Sequence, residues 1–168
     1  MINKNKVPDP EALKLRMAGL CSRSEQCSFD ILAKLRRAGL SKEKSEEIVR
    51  FLIDRRFISD RRFAAAFASS KVRLSAWGRY KVAAALRAKR IPEPLIREAL
   101  DSIETSEYVG ALRKAAFAKA RSLNLTVKED AVKLYRHLAS RGFESALIVA
   151  QVKAIIKLSR EDHAEGAD

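Results

Sequence analysis

Residues 55–91 read RRFISDRRFAAAFASSKVRLSAWGRYKVAAALRAKRI, and this stretch combines strong helix formers with most of the protein's positive charge. It carries 11 Lys and Arg residues against one acid, Asp60, whereas residues 1–54 carry 11 against 8 and residues 92–168 carry 12 against 12. The formal net charge of +13 is therefore concentrated here. Such a field attracts polyanions and anionic surfaces in a salt-dependent way. We interpret the stretch as a binding surface, the alternative being an ordinary solvated helix face.

The composition of the whole chain also favours helices. Ala, Leu, Lys, Arg and Glu dominate its 168 residues, which include only 6 Gly and 4 Pro. The first group loses little side-chain freedom in a helix, whereas Gly and Pro disfavour helical backbone. Apolar residues recur at helical spacing in nine segments, so the sequence predicts an all-α protein.

Local signals predict where these helices begin and end and which residues face inward. The predicted N-caps are Asp9, Ser28, Ser41, either Ser59 or Asp60, and Thr126 in a capping box with Glu129. Gly39 and Gly142 are predicted to end the second and eighth helices, because glycine adopts positive φ without steric cost. The predicted inward-facing residues of the third and fourth helices are Ile48, Phe51, Leu52, Phe63, Phe67 and Leu74.

A short pattern recurs three times, as Leu35-x-x-x-Gly39-Leu40, Leu86-x-x-x-Arg90-Ile91 and Leu138-x-x-x-Gly142-Phe143. It predicts three tandem three-helix repeats in an elongated, curved array with an extended concave surface. The predicted segments are a flexible N-terminal arm (1–10), repeat 1 (11–57), the basic repeat 2 (58–104), repeat 3 (105–158) and a flexible tail (159–168).

The fifth predicted helix supplies the first candidates for binding. Arg79, Ala83, Arg87 and Arg90 follow one another at steps of 4, 4 and 3, so three guanidinium groups are expected on one outer face. The further candidates for contact with a partner or with DNA are Arg62, Arg73, Lys81, Lys89 and Trp77. Trp77 has two interpretations, an interface anchor or a cap over a junction between repeats.

No motif indicates catalysis or a bound cofactor. The chain lacks the G-x-S-x-G, P-loop and H-E-x-x-H patterns, and His137 has no evident catalytic partner. Cys21, Cys27 and the two histidines lack the spacing of a metal site, and two cysteines are typical of a reduced, cytoplasmic protein. We find neither an apolar run long enough for a membrane helix nor a signal peptide, and we expect a monomeric binding protein without cofactor or metal.

Three segments resemble the RecX family, the regulators of the bacterial recombinase RecA. They are residues 21–28 (CSRSEQCS) followed by Leu32 and Lys34-Leu35, residues 57–64 (FISDRRFA), and residues 78–91 (GRYKVAAALRAKRI). The second is similar to the family pattern I-x-D-x-R-[FY]-A and the third to G-x-x-x-I-x-x-E-L-x-x-K-G-I. The chain departs from the last pattern at two positions, with Ala85 in place of Glu and Arg90 in place of Gly.

The resemblance implies tandem three-helix repeats that bind along the groove of the RecA–DNA filament. It implies inhibition of strand exchange and ATP hydrolysis, and a place in DNA recombination, DNA repair and the SOS response. It also implies binding to DNA, either single-stranded or within the filament. The basic middle repeat is then expected to contact DNA phosphates or an acidic filament surface, while the flanking repeats bridge recombinase subunits.

Two other interpretations of the sequence stay open. One is a stand-alone DNA-binding protein of the helix-turn-helix type, whose fifth helix enters the major groove. That helix is rich in alanine and offers few side chains able to read base edges. The other is a scaffold with an incidental basic face.

Overall fold

The computed structural model describes residues 9–125 and 127–165, with residues 160–165 described by their backbone alone. The described residues form nine helices and no strand, which confirms the prediction of an all-α protein arranged as three successive groups of three helices. The helices are α1 (Pro10–Arg23), α2 (Ser28–Arg37), α3 (Lys42–Asp54), α4 (Asp60–Ser75), α5 (Arg79–Ala88), α6 (Glu93–Asp101), α7 (Thr105–Ala120), α8 (Lys128–Ser140) and α9 (Ser145–Glu165).

The described chain divides into two compact units, and the division falls within α4 and α5. The N-terminal unit contains the residues up to Ala66 together with Leu86–Arg97. Its core is a cluster of apolar side chains from α1, α2, α3 and the loops after α2 and α3, namely Met17, Ile31, Leu35, Leu40, Ile48, Val49, Leu52 and Ile58. Burial of these side chains stabilises the three-helix arrangement.

The C-terminal unit contains Phe67–Ala85 and the chain from Glu98 onward. Helices α7, α8 and α9 pack against one another, and the ring of Tyr108 lies 5.5 Å from that of Phe143. The turn before α5 joins the turn before α9 through backbone hydrogen bonds, because Gly78 donates to the carbonyl of Arg141 and Tyr80 donates to that of Gly142. This contact holds the start of α5 within the C-terminal unit.

The recurring sequence pattern corresponds to a recurring helix end. Gly39 (φ +95°), Arg90 (φ +57°) and Gly142 (φ +86°) all adopt left-handed backbone, and the next residue donates its N–H to the leucine carbonyl five positions earlier. These are the bonds from Leu40 to Leu35, from Ile91 to Leu86 and from Phe143 to Leu138, and all six of these side chains are buried. The pattern is therefore a helix-ending motif in which an apolar residue after the turn packs back on the helix.

Arg90 adopts this conformation at a position where the other two repeats have glycine. A residue with a Cβ is destabilised by about 1–2 kcal/mol in this left-handed conformation. Replacement by glycine removes that strain, but it also raises the conformational entropy of the unfolded chain, which offsets part of the gain. We expect Arg90→Gly to raise the free energy of unfolding by about 0.5–1 kcal/mol in urea titrations. Ala84→Gly, at an exposed position within the same helix, is expected to lower it by about 1 kcal/mol. Destabilisation by Arg90→Gly would contradict the assignment of strain to this residue.

Most predicted helix signals are confirmed, and one predicted N-cap is wrong because of a tertiary contact. Asp9, Ser41 and Ser59 accept backbone N–H bonds at the starts of α1, α3 and α4, as predicted. Ser28 is wrong as an N-cap, because α2 is preceded by Cys27 and the Ser28 hydroxyl donates instead to Asp60, 32 residues away. Thr126, the first residue of the predicted capping box, lies outside the described residues.

Two predicted core residues are exposed. Leu74 is 82% exposed, because α4 buries the stripe of Ala64, Ala68 and Val72, and Leu74 lies off that stripe. Phe51 is 37% exposed, with Lys14 and Arg55 near its ring. Beyond the predicted end of repeat 3 at residue 158, α9 continues to Glu165, since no glycine or proline interrupts it.

Candidate polyanion-binding surface

Most of the cations predicted to bind a partner form ion pairs within the protein. Five of the seven do so: the pairs are Arg62–Glu25, Arg73–Glu107, Arg79–Glu144, Arg87–Glu93 and Lys89–Asp30. All five acids lie outside residues 55–91, so folding neutralises part of a charge that the linear sequence leaves uncompensated. The candidate site is therefore narrower than the basic stretch.

The predicted outer face of α5 is wrong. Ala83, at the centre of that face, is only 5% exposed, and Arg90 lies beyond the end of the helix on left-handed backbone. Arg79 is partly buried and Arg87 is exposed, so the three arginines have different surroundings. The helical spacing was correct, but it places Ala83 beside Val82 and Leu86 on the buried side of the helix, while Arg87 one turn later is exposed.

Two of the pairs are partly buried and belong to the internal structure. Arg79 lies 4.0 Å above the ring of Tyr108, and its backbone N–H donates to the Tyr108 hydroxyl, which in turn donates to Glu144. Burial, with the bond to Glu144, raises the pKa of Tyr108 well above its ordinary value. Lys89 donates to Asp30; burial raises the pKa of that carboxyl, but the bonds from Lys89 and Cys27 lower it more. These contacts position helices.

The three other pairs, Arg62–Glu25, Arg73–Glu107 and Arg87–Glu93, are more exposed, and Arg73 is 3.8 Å from its partner carboxylate. Exposed pairs contribute little to stability, so a stronger anion is able to displace the carboxylate at low cost. These arginines are therefore available to a polyanion, although not without competition.

Trp77 and two lysines form the clearest candidate for anion binding, and all three lie in the C-terminal unit. The ammonium groups of Lys71 and Lys81 lie 5.0 and 4.8 Å from the centre of the indole, and Phe67 meets the indole edge-on at 6.4 Å. Among the described residues, neither lysine forms an ion pair. We call Lys71, Trp77 and Lys81 the Trp77 cluster, which presents two positive charges beside an aromatic ring.

Arg90 has an aromatic contact of its own in the N-terminal unit. Its guanidinium lies 5.1 Å from the ring of Phe29, and together they line a groove of about 440 Å³ with Arg50 and Ile53. Arg90 forms no ion pair with any described carboxylate. It is thus the predicted arginine whose charge is least compensated within this unit.

The thiol and imidazole groups, which are able to carry other chemistry, are buried or scattered. Burial raises the pKa of the Cys27 thiol to about 11, and burial with Arg141 and Lys119 lowers the pKa of His137. In the part of the chain that the structure describes, His, Cys, Asp and Glu residues do not gather into a group able to hold a metal ion. No helix over the same residues has the length and apolarity needed to cross a bilayer.

Comparison with known proteins identifies the family. Residues 59–100, which include the Trp77 cluster, match the family model described as the second three-helix domain of RecX. The regulatory protein RecX of Prosthecochloris aestuarii is 31% identical over 135 residues, which cover 79% of this chain and 86% of that protein. The chain belongs to the RecX family of regulatory proteins. The RecX protein of Chlorobium limicola is 29% identical over 89% of this chain and 91% of its own length.

Solved RecX structures share the fold. The crystal structure of RecX from Lactobacillus salivarius aligns with a TM-score of 0.74 at 18% identity, covering 89% of this chain and 97% of that one. A second crystal structure, described as regulatory protein RecX, aligns with a TM-score of 0.72 at 23% identity over 82% of this chain and 68% of its own. The predicted resemblance to RecX is confirmed, and the array of three-helix repeats agrees with these structures.

The sequence did not identify two features, the place of Lys71 beside Trp77 and the long-range contact of Asp60, which was predicted only as a possible N-cap of α4. Lys71 was counted in the basic stretch but not among the candidates, although it lies one helical turn and a half before Trp77. Asp60 accepts hydrogen bonds from both the backbone N–H and the hydroxyl of Ser28. The position of Asp60 in the RecX-like segment 57–64 indicated that this residue matters. Its partner Ser28 lies 32 residues away, so a local sequence pattern does not reveal the contact.

Proposed function

We propose that this member of the RecX family regulates the recombinase RecA by binding the RecA–DNA filament and inhibiting strand exchange and ATP hydrolysis. Membership of a family of regulatory proteins supports the proposal, as does the concentration of charge in residues 55–91. The protein acts by binding, as a cytoplasmic regulator and not as an enzyme. No cofactor is required for this mode of action.

The observation that carries the proposal is the Trp77 cluster. Two ammonium groups within about 5 Å of one indole concentrate positive charge around the ring, and an anion bound beside them is attracted by both. A phosphate backbone supplies the anion, and an unstacked base supplies a flat partner for the ring. The cluster therefore suits single-stranded DNA or DNA held extended in a filament, with Arg73 as a neighbouring cation.

The filament assay tests the function itself. We expect the protein to bind DNA coated with RecA and a non-hydrolysable nucleotide more tightly than bare DNA, and to reduce filament ATP hydrolysis. Equal binding to coated and bare DNA with unchanged hydrolysis would exclude the regulatory function and leave the stand-alone DNA-binding alternative. Tyr80, 65% exposed on α5, and the alanines beside it offer little base readout, which is why we rank that alternative second.

Removing both lysines of the Trp77 cluster is expected to weaken binding to bare single-stranded DNA about tenfold at moderate salt. The slope of log affinity against log salt should become shallower by about 1.4, since each lost phosphate contact removes roughly 0.7 on single strands. The test compares Lys71→Ala/Lys81→Ala with Lys128→Ala/Lys153→Ala, which removes two exposed lysines of the same unit. Equal slopes for the two double variants would exclude the cluster as a DNA contact.

A further inference from the structure

A groove between α1 and α2 in the N-terminal unit has no part in the surface described above. Its volume is about 490 Å³, within the range of sites that accept a side chain or a small ligand. Its apolar lining comes from Leu13, Met17 and Leu20 of α1 and from Ala38, which caps the end of α2. Leu13 and Leu20 pack on the core of the unit, so the lining is continuous with a rigid interior.

Four cations border this apolar lining, two from each helix: Arg16, Arg23, Lys34 and Arg37. No carboxylate lines the groove, and none of the four cations forms an ion pair with a described residue. This differs from the basic middle stretch, where five of the seven candidate cations are paired internally. The groove thus combines an apolar surface with four positive charges that lie outside the ion pairs of the described residues, and its complement is acidic and partly apolar.

The chemistry of the lining separates a protein partner from DNA. Single-stranded nucleic acid is held by stacking of bases on aromatic rings beside basic side chains, as the Trp77 cluster would allow. The groove contains no aromatic side chain, and the apolar part of its lining consists of aliphatic and thioether groups. Phosphates would satisfy the cations but would leave the apolar lining exposed to water. An acidic protein segment satisfies both, because its carboxylates pair with the rim while an aliphatic side chain fills the groove.

We propose that the α1–α2 groove is the docking site for an acidic protein segment bearing an aliphatic side chain. This rests on the proposed function in one respect, namely that the segment is carried by the protein subunits of the filament. The first repeat then recognises protein, and the Trp77 cluster of the other unit recognises DNA. Electrostatic attraction by the rim brings the segment in, and burial of its aliphatic side chain slows its release.

The test uses the full chain and two charge-reversed variants. Arg16→Glu/Arg23→Glu reverses two exposed cations of the groove, and Lys42→Glu/Arg97→Glu reverses two exposed cations of the same unit that lie outside it. Both change the net charge equally, and circular dichroism with thermal melting verifies that each is folded. Affinities are measured by anisotropy for RecA-coated DNA and for bare DNA at the same salt concentration.

We expect the groove variant to lose at least about tenfold in affinity for coated DNA and less than about twofold for bare DNA relative to the control variant. A parallel loss on both substrates would assign the groove to DNA and overturn the inference, while leaving the proposed function intact. No loss on either substrate relative to the control would likewise overturn it. If the unaltered protein does not prefer coated DNA, the proposed function fails and this inference fails with it.

A second pair of variants tests the apolar lining without changing charge. Leu13→Gln places an amide in the groove, whereas Leu15→Gln changes a leucine of the same helix that is 71% exposed and outside the groove. Binding to coated DNA should fall severalfold for Leu13→Gln alone, with affinity for bare DNA unchanged in both. Equal affinities of the two variants for coated DNA would show that no apolar side chain docks there.

Discussion

Replacing Gly78 with alanine is expected to lower the free energy of unfolding by about 3 kcal/mol or more. A Cβ at this position would overlap the backbone of Gly142 and Phe143. The atoms that the Cβ would meet belong to the backbone, so no side chain can move aside to make room. The two turns are also joined by the hydrogen bond from Gly78 to the carbonyl of Arg141 at 2.7 Å. The clash can be relieved only by separating the turns and breaking that bond.

Urea denaturation followed by far-ultraviolet circular dichroism measures this effect. Gly110→Ala is the control, because Gly110 lies within α7 and no atom would lie within 4 Å of the added Cβ. Alanine there should stabilise the helix by up to about 1 kcal/mol. If Gly78→Ala were as stable as Gly110→Ala, the close approach of the two turns would be absent in solution.

Replacing Asp60 with alanine is expected to destabilise the N-terminal unit by about 2–3 kcal/mol. One carboxylate oxygen accepts the backbone N–H of Ser28 at 2.8 Å, and the other accepts its hydroxyl at 2.7 Å. Cys27, which precedes α2, makes no capping bond, so Asp60 supplies the N-terminal cap of that helix from another part of the chain. Its negative charge also lies at the positive end of the helix dipole.

The same denaturation experiment tests this prediction with Asp54→Ala as the control. Asp54 is exposed at the end of α3, so its replacement removes the same charge and should change stability by less than about 0.5 kcal/mol. Asp60→Asn, which retains an acceptor without the charge, should fall between the two. A loss equal to that of the Asp54 variant would mean that the long-range cap contributes nothing.

Arg90 occupies a position where the RecX family pattern has glycine, yet the backbone conformation that the pattern requires is kept. The helix-ending motif needs left-handed backbone at this residue, and glycine adopts it at least cost. Arg90 adopts it as well, so α5 ends as α2 and α8 do, and the arginine carries its charge to a position beside Phe29. The other departure from the pattern, Ala85, has no comparable structural account.

The sequence by itself determined the nine helices, the caps at Asp9, Ser41 and Ser59, the glycine-ended turns and the membership of the RecX family. The helices, caps and turns depend on residues within a few positions of one another, and the family motifs are short continuous segments of the sequence. The apolar stripe of α4 was partly correct, with Phe63 buried and Leu74 exposed. Periodicity identifies a helix reliably but leaves the rotation of its buried face uncertain by a residue or two.

Only the tertiary structure decided which charges are available to a partner. Arg62, Lys89 and Arg79 pair with acids 37, 59 and 65 positions away, and Asp60 caps a helix 32 positions away. The charge of a side chain is a property of the sequence, whereas its compensation depends on which carboxylates folding brings within about 4 Å. That is why the basic stretch was evident at once, while the Trp77 cluster and the α1–α2 groove emerged only from the packed helices.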